Sequence, residues 1–388
     1  MKQRVELIDS LRGFSLLGIL LANLLIFQYG MVGKDYLENL SIVDTVSYYF
    51  TKIFIETSFM PIFTFLFGYS LIKFVESIKK RQPKTRWVLI RRAIGLLVLG
   101  GIHSTFIWEG DILLYYGGVS FILLFFIYRK PKTLLIWAGV IFIFFTAISY
   151  GPEIELYDPN KIDSYLAEDM KVYSTGSYAE IKEYRQTSEM PIKEEDMGIV
   201  VVGVLLAPII YLPLFFVGMA FAKLNVFRNP DNEKPLYRWM ALLAVVGIVM
   251  KILGQMDSNV AGMMSMAGGS ILSVGYIGIF ALFYNVSFGG KLKSAFAAVG
   301  KLSLSNYLLQ SVICTLVFYG YGLGLYGSLG VTLGLVVGVV IYGCQLYFSQ
   351  LYLKVYTRGP VEMLLRLWTN LSWRKKDVSN EIIQPQAR

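Results

Sequence analysis

One histidine occurs in the 388 residues, His103, and it stands in an apolar stretch, residues 88–107, long enough to cross a membrane. An ionisable side chain at that depth costs on the order of a few kcal/mol or more, which marks it as a candidate functional residue. Imidazole is also the side chain best suited to take up and return a proton near neutral pH. Carboxylates able to orient it follow in Trp108-Glu109-Gly110-Asp111, and Glu56 lies near the start of an earlier apolar stretch. The sequence therefore offers His103 as a general base with Asp111, Glu109 or Glu56 behind it. The plainer readings are a packing histidine near a helix end, an Asp111 that only caps the next helix, and a Glu56 that pairs with Lys52 instead.

Other polar residues sit where apolar ones are expected. In Asp9-Ser10-Leu11-Arg12-Gly13, Asp9 and Arg12 are three apart and share a helix face, which predicts a local ion pair. Arg12 is also a candidate anion anchor, together with Arg91 and Arg92 at the start of the His103 stretch, because guanidinium groups suit phosphate; the plainer reading makes at least one of Arg91 and Arg92 only a positive-inside anchor. Asn23 lies three turns beyond Arg12 on roughly the same face. Asn306 and Gln310, one turn apart and flanking Tyr307, fit a cavity wall or an interhelical hydrogen-bond pair. Pro61 can kink its helix toward a cavity. Pro360 is expected to open a short interfacial helix carrying Glu362, Arg366 and Trp368, with Glu362 able to neutralise Arg12, Arg91 or Arg92.

The elements that must hold these residues are membrane spans. With 55% hydrophobic and 15% aromatic residues, the chain is too apolar for a soluble enzyme. About ten spans are legible: residues 14–30, 53–74, 88–107, 112–128, 134–150, 199–222, 236–256, 262–288, 302–319 and 329–352. Inside a bilayer only helices satisfy their own backbone here, so the expected fold is an all-α integral membrane protein, a polytopic bundle. No small-residue cleavage site follows the first span, which reads as retained. Loops rich in Lys and Arg alternate with acidic or neutral ones, so both termini are expected in the cytoplasm. This distribution explains the net charge of +9 without a nucleic-acid partner. The expected organisation is an N-terminal half, 1–150, an acidic extracytoplasmic loop, 151–198, a C-terminal half, 199–358, and an interfacial helix with a disordered tail, 359–388. Within the acidic loop, residues 161–173 and 178–187 have helical composition, giving either a cap over the bundle or a solvated linker. Cys314 and Cys344 read as packing residues. The absence of CxxC, HExxH, Walker and GxGxxG patterns leaves metal hydrolysis, ATP-driven transport and dinucleotide chemistry unsupported, and no metal is expected.

Several of these motifs, taken together, resemble the YeiB-like bacterial membrane proteins, whose C-terminal half is known as a domain of unknown function. They are residues 8–13, the 59–68 stretch, Gly101-Ile102-His103 with Glu109-Gly110-Asp111-Ile112-Leu113, residues 304–311, and Gly359-Pro360-Val361-Glu362. The resemblance spans nearly the whole chain and implies a bacterial plasma membrane location. More distantly, the Asp-x-x-Arg-Gly opening is similar to that of transmembrane acyltransferases, both the heparan-α-glucosaminide N-acetyltransferase type and the bacterial sugar O-acyltransferases. In those enzymes acyl-CoA arrives from the cytoplasm and the acceptor from outside. The O-acyltransferases carry their catalytic histidine on span one, eleven residues after the arginine, where this chain has Asn23. The glucosaminide type carries its own between its first two motif-bearing spans, where this chain has none. His103 is thus a chemical substitute on another helix.

This resemblance implies an acyltransferase in which Arg12, Arg91 and Arg92, with Asp9 and Asn23, receive acyl-CoA as co-substrate. Asn306, Tyr307, Gln310 and Glu362 would line the path to a small-molecule or glycan acceptor, and His103 would be the base. The alternatives are a transporter or permease for a small molecule or lipid, with His103 as a proton-coupled binding residue, and a structural or signalling protein whose polar residues are packing contacts only. Membrane lipids are expected neighbours in every case, and a homo-oligomer is compatible with all three.

Overall fold

The computed structural model describes residues 6–79, 85–152, 154–285 and 290–371. The basic residues expected at the extreme N-terminus, at 80–84 and in the C-terminal tail, and the tail's expected disorder, lie outside these. In chain order the helices are α1 (Glu6–Tyr29), α2 (Ile42–Phe50), α3 (Phe59–Lys79), α4 (Thr85–Phe106), α5 (Leu113–Leu123), α6 (Pro131–Ile148), α7 (Pro159–Thr175) and α8 (Tyr178–Thr187). They continue with α9 (Met197–Ile210), α10 (Leu212–Leu224), α11 (Lys234–Leu253), α12 (Ala261–Asn285), α13 (Gly290–Lys301), α14 (Ser303–Phe318), α15 (Gly330–Val355) and α16 (Pro360–Asn370). The protein is an all-α polytopic membrane protein. Among the described residues eight segments are long and apolar enough to cross a bilayer, or nine if the bent pair α13 and α14 counts as one.

That count differs from ten for two local reasons. Residues 112–128 form only the 11-residue α5 and then unwind. The carbonyls this frees at Ile127 and Arg129 accept hydrogen bonds from Lys223 Nζ at 2.8 and 2.6 Å. Residues 302–319 are the second arm of a pair bent by 83°. Glu362 causes the restart. Its Oε1 accepts the N–H groups of Leu304 and Ser305 at 2.7 and 3.1 Å, supplying the acceptors that a fresh helix N-terminus needs. The expected kink at Pro61 is absent. Pro61 sits in the first turn of α3, where a missing N–H costs nothing, and the break lies upstream at a π turn, Thr51–Ile55, and at Thr57 with φ +62°.

α1 runs through the centre, packed on α3, α13, α14 and α15. Its approach to α13 depends on two glycines. A Cβ on Gly13 would lie 2.1 Å from the Phe296 carbonyl oxygen, and one on Gly300 would lie 1.8 Å from that of Asp9. This close crossing brings the start of α1 against the bend between α13 and α14. At the other end α7 and α8 form a docked cap and not a solvated linker. Asp158 caps α7 ahead of Pro159, and Ser177 with Glu180 makes a capping box for α8. Tyr173 and Ile181, both buried, insert into the cluster formed by Phe27, Trp108, Tyr319 and Tyr326. We call the end bearing Arg12, Arg92 and Lys301 the basic end, and the end bearing Glu109, Asp111 and the cap the acidic end.

Candidate functional site

His103 lies on the last turn of α4 and Asp111 just before α5. Gly100 lets the two helices meet, since a Cβ there would come within 2.5 Å of Leu114 N and 2.6 Å of Asp111 Oδ2. The result is a buried pair: His103 Nδ1 is 2.7 Å from Asp111 Oδ1, with side-chain exposures of 1% and 0%. Asp111 Oδ2 accepts the Leu114 N–H at 2.7 Å, so the residue both caps α5 and orients the imidazole. The two readings of Asp111 open in the sequence are one arrangement. With both carboxylate oxygens accepting, Nδ1 carries the proton of the neutral tautomer, in which Nε2 would present a lone pair. Nε2 is buried and bonded to nothing among the described residues. Tyr307 packs on the imidazole with ring centroids 5.5 Å apart, and its hydroxyl accepts the Ile112 N–H at 3.2 Å.

A cavity of about 230 Å³ extends from this corner toward the basic end. Ile112, Leu113 and Tyr307 line it beside the dyad, Phe63, Phe67 and Leu96 along its wall, and Arg12, Arg92 and Lys301 at its charged end. His103 and Asp111 stand behind that lining. Tyr307 touches both the cavity and the imidazole. Arg12 is held by Asp9 Oδ1 at 3.1 Å, the Gly300 carbonyl at 3.3 Å and Ser70 Oγ at 2.7 Å. The Asp9 pair is the one that three-residue spacing predicts. The Arg92 guanidinium lies 5.2 Å over the Phe74 ring and has no hydrogen-bond partner among the described residues.

Other expected site residues lie elsewhere. Glu56 does not approach His103; it pairs with Lys34 at 2.9 Å and Lys52 at 3.0 Å in a separate cluster. Arg91 faces away from the cavity, its Nε donating to the Thr369 carbonyl and its own carbonyl accepting from Trp368 Nε1, so that it fastens α16. Asn306 and Gln310 do not line the cavity. Asn306 Nδ2 donates to Ser349 Oγ at 3.0 Å and Gln310 Nε2 to Gln345 Oε1 at 2.8 Å, which joins α14 to α15 through a buried polar seam. Asn23 is half-buried on α1 and absent from the cavity lining. Glu362 does reach the cavity, but no ion pair joins it to Arg91 or Arg92 among the described residues. Its oxygens are taken up by the start of α14.

Glu109 is gripped by the cap: Tyr173 donates to Oε1 at 3.0 Å and Arg185 Nη1 to Oε2 at 3.1 Å. Burial, the largest single influence, lowers the pKa of the Arg185 guanidinium, but the charge and hydrogen bond of Glu109 together with Tyr173 and Tyr319 outweigh it and the net shift is upward. Asp169 of the cap is pushed up to about 6 by burial, with donation from Tyr326 opposing and the Glu109 charge adding. Sequence reasoning passed over Arg185, Tyr173, Asp169, Ser70 and the cavity role of Lys301. The one legible signal was an arginine and tyrosines within an acidic loop of helical composition.

These features define a multi-pass membrane protein with a partly open cavity that has cations at one end and, behind the Tyr307 lining at the other, a buried His–Asp pair. The chain belongs to the YeiB-like family. Residues 221–372 match the model described as "Protein of unknown function (DUF418)". The chain is 32% identical over 388 residues to the uncharacterized protein YxaH of Bacillus subtilis, covering 96% of each. It is 28% identical over 367 residues to an uncharacterized 39.9 kDa protein in the amylase 3′ region of Bacillus acidopullulyticus, covering 95% of this chain and 94% of the other. With the uncharacterized protein YeiB of Escherichia coli it shares 24% identity over 386 residues, 95% of this chain and 96% of the other.

Proposed function

We propose that the protein is a transmembrane acyltransferase that takes an acyl group from acyl-CoA at the basic end and passes it to a hydroxyl or amine presented at the acidic end. The observation that carries this reading is one cavity lined by Arg12, Arg92 and Lys301 at one end and by Tyr307, the neighbour of the His103–Asp111 pair, at the other. By the positive-inside rule the basic end faces the cytoplasm and both termini lie there, in a bacterial plasma membrane. Phosphates of the donor meet the cations, and the apolar wall receives the acyl chain. His103 Nε2 removes the proton of the acceptor hydroxyl or amine as its oxygen or nitrogen attacks the thioester carbonyl. Collapse of the tetrahedral adduct breaks the C–S bond, and the departing CoA thiolate recovers the proton from the imidazolium that Asp111 has stabilised.

Purified protein titrated with acetyl- and longer acyl-CoA tests the reading, followed by assay of CoA release with an acceptor panel. Saturable binding should be lost in Arg12→Ala/Arg92→Ala, and His103→Ala should bind donor yet release no CoA. Absence of acyl-CoA binding would refute it. Counterflow of an unmodified solute that depends on His103 would put a transporter in its place.

A further inference from the structure

We infer that the acidic end carries an oxyanion-binding site built on Arg185 of the cap, and that its ligand presents a carboxylate or phosphate group. Arg185 belongs to α8, yet its side chain is only 8% exposed. One of its nitrogens is occupied: Nη1 donates to the Ile107 carbonyl at 3.2 Å and to Glu109 Oε2 at 3.1 Å. The other two, Nε and Nη2, are buried and meet no acceptor among the described residues. They share the edge of the guanidinium along which two N–H bonds point the same way. That fork matches the paired oxygens of a carboxylate or phosphate. Buried donors are normally satisfied, so a cation clamped on one edge and unmet on the other points to a ligand on the open edge.

Two more buried polar atoms without a partner among the described residues belong to the chain turn whose Ile107 carbonyl Arg185 holds. Trp108 Nε1, a donor only, follows directly on the Ile107 whose carbonyl Arg185 holds. His103 Nε2 is on the preceding turn, and the His103 carbonyl accepts the N–H groups of both Ile107 and Trp108. Glu109, 34% exposed, marks where the corner meets solvent. Tyr173 holds its second oxygen, which keeps the carboxylate on the Nη1 side and off the open fork. The site stands whether or not acyl transfer occurs. Within the reading above it makes the acceptor an anionic one, held by its charge while its hydroxyl or amine faces His103.

Full-length protein titrated with glucuronate, glucose 6-phosphate and uncharged glucose, followed by calorimetry, tests the site. At least one charged probe should bind saturably, with glucose about tenfold or more weaker, and the stronger of the two assigns carboxylate or phosphate. Arg185→Lys keeps a counter-charge for Glu109 but removes the fork. It should weaken binding about tenfold or more with its thermal unfolding unchanged. Glu109→Gln, which removes the negative charge beside the fork, should tighten binding of an anion and gives an independent readout if the lysine variant does not fold. Arg12→Ala/Arg92→Ala should leave these affinities as they are. Three results would overturn the inference: no binding of either charged probe, glucose binding as tightly, or affinity lost in the Arg12/Arg92 variant but kept in both cap-side variants. Failure to bind acyl-CoA removes the proposed transfer reaction without touching this outcome.

Discussion

Replacing Asp111 by asparagine exchanges one oxygen for an NH₂ group, and the geometry predicts that this reverses the polarity of His103. In the native pair Oδ1 faces Nδ1 at 2.7 Å and Oδ2 accepts the Leu114 N–H at 2.7 Å. Leu114 still needs an acceptor in Asp111→Asn, so the amide oxygen takes that side and the NH₂ turns to the ring. Nδ1 must then accept, and the proton moves to Nε2. A charge-assisted bond of about 1.5–3 kcal/mol becomes a neutral one of about 0.5–1.5 kcal/mol, a net loss near 1–1.5 kcal/mol with the α5 cap retained. For a chain of this size that lowers the thermal midpoint by about 2 °C or less. Catalysis through Nε2 should instead fall by about three to four orders of magnitude, the usual consequence of a wrong tautomer in a His–carboxylate pair. The chain has a single histidine, so ¹⁵N-histidine labelling yields one imidazole whose protonated nitrogen is read directly by NMR. Nδ1–H in the wild type and Nε2–H in the variant is the expected result. A wild-type ring protonated at Nε2, or a ring spectrum unchanged by the substitution, would refute the reasoning. So would a stability loss beyond about 4 kcal/mol, which would make Asp111 an anchor of the fold before anything else.

Three further outcomes follow from the packing and the cap. Gly300→Val sets a Cβ 1.8 Å from the Asp9 carbonyl oxygen, so α1 and α13 must separate; a loss of about 3 kcal/mol is expected, and an unchanged thermal midpoint contradicts the crossing described above. Gln345→Leu strands Gln310 Nε2 and should cost about 1–3 kcal/mol, while Gln310→Leu/Gln345→Leu should recover part of it; strict additivity in that cycle would argue against the seam. Asp169 has a folded-state pKa raised from 3.8 to about 6, so the docked cap favours the protonated acid. Its stabilisation is full below about pH 4 and is lost as pH rises through 6, on the order of 3 kcal/mol for a shift of about two pH units. Protection factors across residues 159–187, each taken against the intrinsic exchange rate at its own pH, should therefore be higher at pH 5 than at pH 7.5 in the wild type and show no such difference in Asp169→Asn; equal protection of the wild type at both pH values would remove the effect.

What the sequence discloses and what it hides divide along a physical line. Apolar length and composition set the spans because the bilayer imposes one requirement on every residue of a helix at once. The pairing of His103 with Asp111 was within reach because eight residues and a short turn separate them, and the search for a partner is local. Glu56 shows the limit: Lys52, one helical turn away, was legible as a partner, while Lys34, 22 residues off, and His103 depended on where other elements lay. Asn306 and Gln310 were legible as a polar face but not as a seam, because the partners Gln345 and Ser349 sit on another helix.

Arg91 and Arg92 make the same point in two adjacent residues of one charge. Neighbours in an α-helix project about 100° apart and cannot serve one face. One of them must leave the cavity, and composition is silent on which. The structure sends Arg91 to the Thr369 carbonyl and Arg92 to the cavity. Swapping their roles would require turning α4 by that same 100°, which would also carry His103 away from Asp111. The rotation of a single helix therefore sets the cations at one end and the base at the other, and a change that turns α4 should impair donor binding and proton transfer together.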